Sequence, residues 1–569
     1  MATILYLNDT QVYPDGQQSI KLTKENPYFT QSDSYTLDVT LPMDIPENRQ
    51  FFRNLHRMEV SKQAQAFSCR LAVGNRILLD GSAKVTQVTE KEVKVQLLGG
   101  NSEVNFLSDN NGDYIDQLPL GTRQYIGTAL AFYSDISSGL PYSNSYVYNE
   151  TSEEFVDPLC ACHPQLVGVM RLVLAHYGFT MKQCFLDNEP WNKIYIASAL
   201  HTLDIAHKLP HWTPREFVSE FCNFFNVTAA VDQIEKTVDF ISNIDFYGNA
   251  AATVALSPID EYQAEMTEED SHTSIASSNV AFDLSGSTCH DYDCLTDELR
   301  EGVQKREYAS KAALETAFWA MDDEERRKYL FCEPWDERVS WVLADTNGER
   351  EFEDLVYADL MKPLDRGTEK SVTLKIVPVA VGHETVYLKN TLTGEHRNFH
   401  GIPSLESPTS DETPYPWYGD NDEVELPALQ DLITGEESIA KGEKEDRMQV
   451  MFDDGKSFGF TATPNQLYPL AFTDWKYKVD SETDKKHRHW SLSLCRTLAD
   501  NYLGQLHQNG FSFYVHSKLV FKFLAEQMPD PTRIYIIRGK RYGCEKIEAS
   551  IDSQGMQQLM TGYFYEMTE

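Results

Sequence analysis

Residues 34–41, SYTLDVTL, alternate without a break. Tyr35, Leu37, Val39 and Leu41 fall on one side of an extended chain, and Ser34, Thr36, Asp38 and Thr40 on the other. A period of two does not suit a helix, whose apolar stripe recurs at three and four. One apolar and one polar face fit an antiparallel strand covered on a single side, stopped by Pro42. A short helix is expected after Pro46, where PENRQFFRNLHR sets Phe51, Phe52 and Leu55 at helical spacing. Four short strands are read next: AFSCRLAV, RILLDG, AKVTQVTE and EVKVQLLGG, separated by Gly74-Asn75, Gly81 and Lys91. Together they predict a meander or small barrel over 1–107.

The rest of the chain divides by pattern. Residues 108–155, rich in Asn, Asp, Gly, Ser and Tyr, read as an irregular connector. An α+β module follows over 156–245. Its first helix carries Leu166, Met170, Val173 and Leu174 as one stripe, with Gly178 as the stop. Its second, TPREFVSEFCNFF, opens with Thr213 as N-cap, Pro214 at the first helical position and Glu216 closing a capping box. Phe217, Phe221 and Phe224 then face inward, and VTAAVD with KTVDFI predicts a hairpin. Residues 246–402 form a mixed region, with a helix over 309–330 capped at Ser310 and strands SVTLKIVPVAV and HETVYLKN. Residues 403–446 read as an acidic loop or linker. Strands return over 447–569, in RMQVMF, HWSLSLC, FSFYVH, TRIYIIRG, RYGCEKIEASI and QLMTGYFYEM. No solenoid or propeller period recurs. The expected class is α+β and β-rich: several domains of small antiparallel barrels or meanders around an inserted α+β module.

The 569 residues suffice for about three or four domains. With 50 Lys and Arg against 87 Asp and Glu, the net charge is 50 − 87 = −37. That balance excludes a non-specific nucleic-acid clamp as the default, since such binding needs a basic face. The start, MATILYLNDT, lacks a basic segment before its apolar run, so no signal peptide is expected, and no 18 apolar residues stand together to span a bilayer. Ten cysteines in this length are too sparse for a disulfide framework and read as reduced thiols of a protein made in cytoplasm.

No HExxH, GxSxG, Walker loop or helix-opening GxGxxG is present, so no catalytic residue and no cofactor is assigned. The candidate metal ligands are Cys160, Cys162 and His163, with Cys289, His290 and Cys294 as a second cluster. CxC is not the usual zinc knuckle, and packing thiols are the preferred reading. His487 and His489 lie two apart beside Asp484-Lys485-Lys486, which reads as an exposed turn. One basic segment stands out in the acidic chain. Arg533, Arg538, Lys540 and Arg541 flank Gly539-Lys540, a hairpin turn that would bunch them at one tip to meet phosphate or an acidic partner. In 415–419, Tyr415, Trp417 and Tyr418 could stack on sugar faces, or simply anchor a loop.

SYTLDVTLPMDIPENRQFFRNLHR, leading to strands that end in VKVQLLGG, resembles the opening of tail-hub or baseplate proteins from phages and prophages of Bacteroidetes-type bacteria. VGVMRLVLAHYGFTM, LPHWTPREFVSEFCNFFNVTAAVDQIEKTVDFI and the C-terminal IYIIRGKRYGCEKIEASI are similar to the same group. The resemblance covers roughly the first 110 residues, 160–245 and 510–569. It implies a structural virion protein in the tail, assembled in the host cytoplasm as a trimeric or hexameric ring. Such a ring joins the tail tube to tip or receptor-binding proteins, and DNA passes through it without specific binding. Two other readings stay open: a tail-associated peptidoglycan or glycan hydrolase using a carboxylate pair, and a glycan- or receptor-binding module. The acid concentrates in 265–270, 322–325 and 404–446, so it is expected to line a lumen or exposed loops, with the basic turn at a contact.

Overall fold

In the computed structural model the described residues are 3–30, 34–36, 38–53, 55, 57, 66–102, 113–121, 142–149, 154–197, 204–247, 253–259, 262–266, 278–283, 304–308, 311–322, 329–332, 340–343, 353–356, 363–367, 371–379, 382–389, 396–406, 447–458, 467–472, 490–494, 503–508 and 513–567. The first strands are β1 (Thr3–Leu7), β2 (Thr10–Val12), β3 (Ile20–Glu25), β4 (Ser34–Thr36) and β5 (Val39–Pro42). Helix α1 (Pro46–Phe52) and strands β6 (Ala66–Val73), β7 (Arg76–Val88) and β8 (Glu92–Gly99) follow. Residues 34–41 therefore make two strands, not one. Thr36 is buried, and so are Val39 and Leu41, which moves the inward parity by one position between β4 and β5. Polar bonds hold the offset: Thr36 Oγ1 accepts from Leu97 N at 3.0 Å, and the Asp38 carboxylate accepts from Thr86 Oγ1 at 2.7 Å. Pro42 lies inside β5, opposite Glu92, where β5 pairs with β8 alone among the described strands and the missing N–H breaks no second ladder there.

RILLDG and AKVTQVTE are likewise one strand. β7 runs straight through Gly81, because a Cβ there would stand 2.0 Å from the Leu98 carbonyl oxygen of β8. The glycine serves close backbone approach in mid-strand, where the sequence suggested a turn. Phe52 and Leu55 are buried as their spacing predicts, with Phe51 and Phe52 packed edge-on against Phe67.

The next elements are β9 (Tyr142–Asn149), β10 (Glu154–Pro164), α2 (Leu166–His176), β11 (Thr180–Met181), β12 (Ile194–Ile196), α3 (Pro214–Phe225), β13 (Val227–Asp232) and β14 (Thr237–Ser242). Leu166, Met170, Val173 and Leu174 are all buried on α2, and Gly178 follows its end at φ +81°. At the start of α3, Thr213 Oγ1 accepts from Glu216 N at 3.2 Å while Glu216 Oε2 accepts from Thr213 N at 2.8 Å. Pro214 supplies a fixed φ at the first helical position. Phe217, Phe221, Phe224 and Phe225 are fully buried beneath the sheet β11-β14-β13.

Further along come β15 (Val254–Leu256), β16 (Gln263–Met266), β17 (Asn279–Phe282), β18 (Gln304–Glu307), α4 (Lys311–Ala320), β19 (Tyr329–Cys332), β20 (Ser340–Leu343) and β21 (Glu353–Val356). These lead to β22 (Ser371–Leu374), β23 (Ile376–Pro378), β24 (Gly382–Lys389), β25 (His396–Glu406), β26 (Met448–Phe458), β27 (Leu467–Phe472) and the short helix α5 (Leu503–Leu506). Three sequence expectations are corrected here. The helix read over 309–330 ends at Ala320, and Tyr329 and Leu330 sit in β19, parallel to β18. Residues 371–381 divide at Lys375, whose N–H donates to Glu220 Oε2 on α3, so β22 joins β17 and β23 joins β26. In HWSLSLC, Trp490 through Leu494 are all buried, and Ser491 and Ser493 give their carbonyls to Leu503 and Gly504 of α5 instead of a strand ladder. Residues 403–406 belong to β25, and 407–446 lie outside the described residues.

The chain closes with β28 (Phe513–Leu524), β29 (Ile534–Ile537), β30 (Lys540–Asp552) and β31 (Gly555–Met567). β30 carries β31 along one side; along the other it pairs with β29 near its start and with β3 near its end. That pairing joins both ends of the chain in one sheet of 14 strands, β16-β28-β31-β30-β3-β4-β8-β7-β6-β1-β2, with β29 on β30, β15 on β29 and β5 on β8. The sheet is open among the described strands, which replaces the small closed barrel that 1–107 alone allowed. Within the N-terminal strands, β3 is met by β30 from the other end of the chain, so closure on themselves is not needed to satisfy that edge. Among the described residues no helix is long and apolar enough to cross a membrane.

A buried histidine makes this fold sensitive to acid. His507 is fully buried, its Nε2–H donates to the Phe224 carbonyl at 2.8 Å, and its Nδ1 has no hydrogen-bond partner among the described residues. Burial, with the Arg366 guanidinium beside it, lowers its pKa from 6.5 to about 4. The unfolded chain takes up this proton near pH 6.5, so the contribution is whole above that pH and is lost as pH falls toward 4. From pH 7 to pH 5 the loss is about 2 kcal/mol. Denaturant unfolding at the two pH values should show it, and in His507→Gln that part of the difference should vanish. An unchanged difference in the variant would assign the acid sensitivity to other groups.

Candidate interaction surface

β29 and β30 are joined by Arg538 and Gly539, at φ +51° and +84°, between the paired residues Ile537 and Lys540. Two successive positive φ values are the pattern of a tight turn matched to strand twist. The turn thus sits one residue earlier than Gly539-Lys540, and Lys540 opens β30. Arg538 lays its guanidinium over the Tyr262 ring, 5.3 Å from the centroid. Lys540 Nζ lies 2.7 Å from Glu566 Oε1, which holds the ammonium pKa above its ordinary value. Arg541 is exposed and makes no ion pair among the described residues. Arg533 is elsewhere: it pairs with Asp530 at 3.6 Å, at the far end of β29, about 16 Å along the strand from Arg538. Three of the four basic residues are therefore brought together and one is not.

Beside this tip lie Tyr262 and Tyr514, and Met266 follows further along β16. Tyr262 is 51% exposed, Tyr514 57% and Met266 75%. Tyr262, Gln263, Ala264 and Met266 are exposed and Glu265 is half-buried, so both faces of the β16 segment reach solvent, with Tyr262, Ala264 and Met266 on one of them. The apolar side of this strand faces solvent. β16 also pairs only with β28, so its outer edge has no ladder among the described strands. Arg, Tyr and Met at a site of this kind are the residue types enriched at protein interfaces. Sequence reasoning found the arginines and missed Tyr262, Tyr514 and Met266. The alternation in YQAEM was the readable sign, but nothing local says which face is covered.

The other candidate residues are placed as follows. Cys160 and Cys162 are in β10, paired opposite Tyr146 and Asn144 of β9. His163 is fully buried; burial first, then the Lys208 ammonium, keep its imidazole pKa well below 6.5. Among the described residues no group of three His, Cys, Asp or Glu is arranged to hold a metal ion. Cys289, His290, Cys294, Tyr415, Trp417, Tyr418, His487 and His489 lie outside the described residues. A histidine–carboxylate pair that the sequence did not suggest joins two segments: His211 Nδ1 is 3.1 Å from buried Asp116, and its ring stacks on Tyr114 at 3.6 Å. With Ile115 N donating to the Trp212 carbonyl, this pair fastens 113–121 to the core.

No protein-family model matches the chain, and no curated protein matches it. Among solved structures the chain is similar to the 43 kDa tail protein of prophage MuSo2 from Shewanella oneidensis, with 8% identity and a TM-score of 0.34, over 99% of this chain and 97% of that one. It is also similar to a tail protein from Neisseria meningitidis MC58, with 8% identity and a TM-score of 0.31, over 99% and 96%. A likeness of that degree assigns neither family nor function.

Proposed function

We propose that this chain is a structural component of a phage tail: a hub or baseplate protein that assembles with itself in a trimeric or hexameric ring. It joins the tail tube to tip or receptor-binding proteins around the channel through which DNA leaves. It is made in the host cytoplasm, resides in the virion tail, and carries out no reaction of its own. The observation that supports the reading is the resemblance of three separated segments to such proteins. Those regions carry the strands β1–β8 with α1, the helices α2 and α3 with the hairpin β13-β14, and the closing strands β28–β31. The charge agrees with it. A surplus of 37 acidic charges repels phosphate within about 8–10 Å at moderate salt, which suits a conduit that must not grip DNA. Light scattering of the purified chain, alone and with tail-tube protein from the same phage or prophage, tests the reading. A trimer or hexamer is expected; a chain that stays monomeric at every concentration and binds no tail protein would overturn it.

A further inference from the structure

We infer that the hairpin β13-β14 is fastened to the large sheet by a polar latch that opens while both cores stay folded, so that the body around α3 turns on the aromatic group at Tyr247. The latch is built on Asn101, which is buried just beyond β8. Its Nδ2 donates to Ala229 O at 2.6 Å, and its Oδ1 accepts from Val231 N at 3.1 Å. Those two groups lie on the outer edge of β13, whose other side is paired with β14. In a parallel pairing one residue donates to a carbonyl of its neighbour and accepts from the N–H two positions further on. Asn101 thus stands in for one residue of a strand, and closes an edge to which another chain could add. Past the end of β13, Gln233 Oε1 accepts from Asp80 N of β7 at 3.3 Å. Gly99 leaves room for it, since a Cβ there would stand 2.3 Å from that oxygen.

The joint can open because it is polar. Among the described residues, the core around α3 and the core of β1–β8 have no side chain in common. Met528 and Met556, by contrast, pack into both halves of the large sheet. Opening the joint exchanges amide bonds for bonds to water, at small net cost, and splits no shared apolar cluster. The second fastening differs in kind. Tyr247 and Phe513, which follow β14 and α5 in the chain, pack their rings 5.9 Å apart, and both pack on Tyr28, at 5.3 and 5.9 Å. Asn26 Nδ2 donates to Tyr247 Oη at 2.8 Å inside this group. Packed rings around a buried hydrogen bond make this the fixed end, and the Asn101 contact the end that opens.

Native-state amide exchange on the whole chain tests the inference, because it reads local opening apart from unfolding. The N–H groups of Val231 and Asp80 should exchange about tenfold or more faster than those of Phe221 in α3 and Val95 in β8. Asn101→Ala should speed Val231 by about tenfold again and leave Phe221, Val95 and Tyr28 within about twofold. Ala230, whose N–H faces β14, should likewise keep its rate. Gln233→Ala should speed Asp80, and Gly99→Ala, which pushes the Gln233 amide aside, should match it. The two together should do no more than either alone. Exchange at Val231 and Asp80 as slow as at Phe221 and Val95 would make the contact part of one common core and overturn the inference. So would an Asn101→Ala variant in which Phe221, Val95 or Tyr28 speeds up together with Val231. None of these rates depends on whether the chain associates with itself or with a tail.

Discussion

Replacing Asn26 with alanine should lower the stability of the protein by about 3–5 kcal/mol, because each buried partner left unsatisfied costs about 1–3 kcal/mol. Asn26 is fully buried, and its Nδ2 donates to Tyr247 Oη at 2.8 Å, Cys544 O at 2.9 Å and Pro531 O at 3.0 Å. Two protons serve three acceptors, so one bond is shared. Its Oδ1 accepts from Tyr28 N at 3.1 Å, and its own N–H donates to Glu545 O at 2.7 Å. One side chain thus ties the end of β3 to β30, to the loop before β29 and to residue 247. Alanine keeps the backbone bond and orphans the rest. Asn26→Asp, which restores the acceptor but turns oxygen toward two carbonyls, should rescue nothing. Thermal melts and amide exchange at β29 and β30 check the result, and a loss below about 1 kcal/mol would mean that the orphaned groups find other partners.

Phe221→Ala should cost about 3–5 kcal/mol, the range for deleting a buried aromatic ring. Phe221 is fully buried, with ring centroids 4.9 Å from Phe225 and 5.0 Å from Phe240. The ring fills the space between α3 and β14, where α3 is anchored at its start by the capping box and cannot slide to close a void. Phe221→Leu should recover more than half of the loss. Unfolding followed by Trp212 and Trp191 fluorescence reads this core, which contains both residues. Equal losses for Ala and Leu would show that the ring contacts themselves, rather than the filled volume, carry the stability.

Legibility differed from element to element for physical reasons. Thr213, Pro214 and Glu216 act within one helical turn, so their roles are complete in the local sequence. The same holds for the Phe217, Phe221 and Phe224 stripe. Gly81 was read as a turn and is mid-strand, because its reason is the Leu98 carbonyl of another strand. Residues 371–381 look like one strand and serve two sheets, because Glu220 on a distant helix takes the N–H of Lys375. At the interaction surface the cations were visible as a basic run, whereas Tyr262 lies 276 positions from Arg538 and meets it only through folding.

The amino-acid sequence by itself determined the β-rich α+β class, the capped helix and its hairpin, the acid excess and the single basic run within 533–541. Those depend on periods, caps and counts that act over a few residues or over none. Only the tertiary structure decided that the two ends of the chain share one open sheet, that Arg533 parts from the other cations, and that β16 turns its apolar face outward. Each of these depends on which strand pairs with which. Pairing is set by the summed burial and hydrogen bonding of segments hundreds of residues apart, which no local window contains.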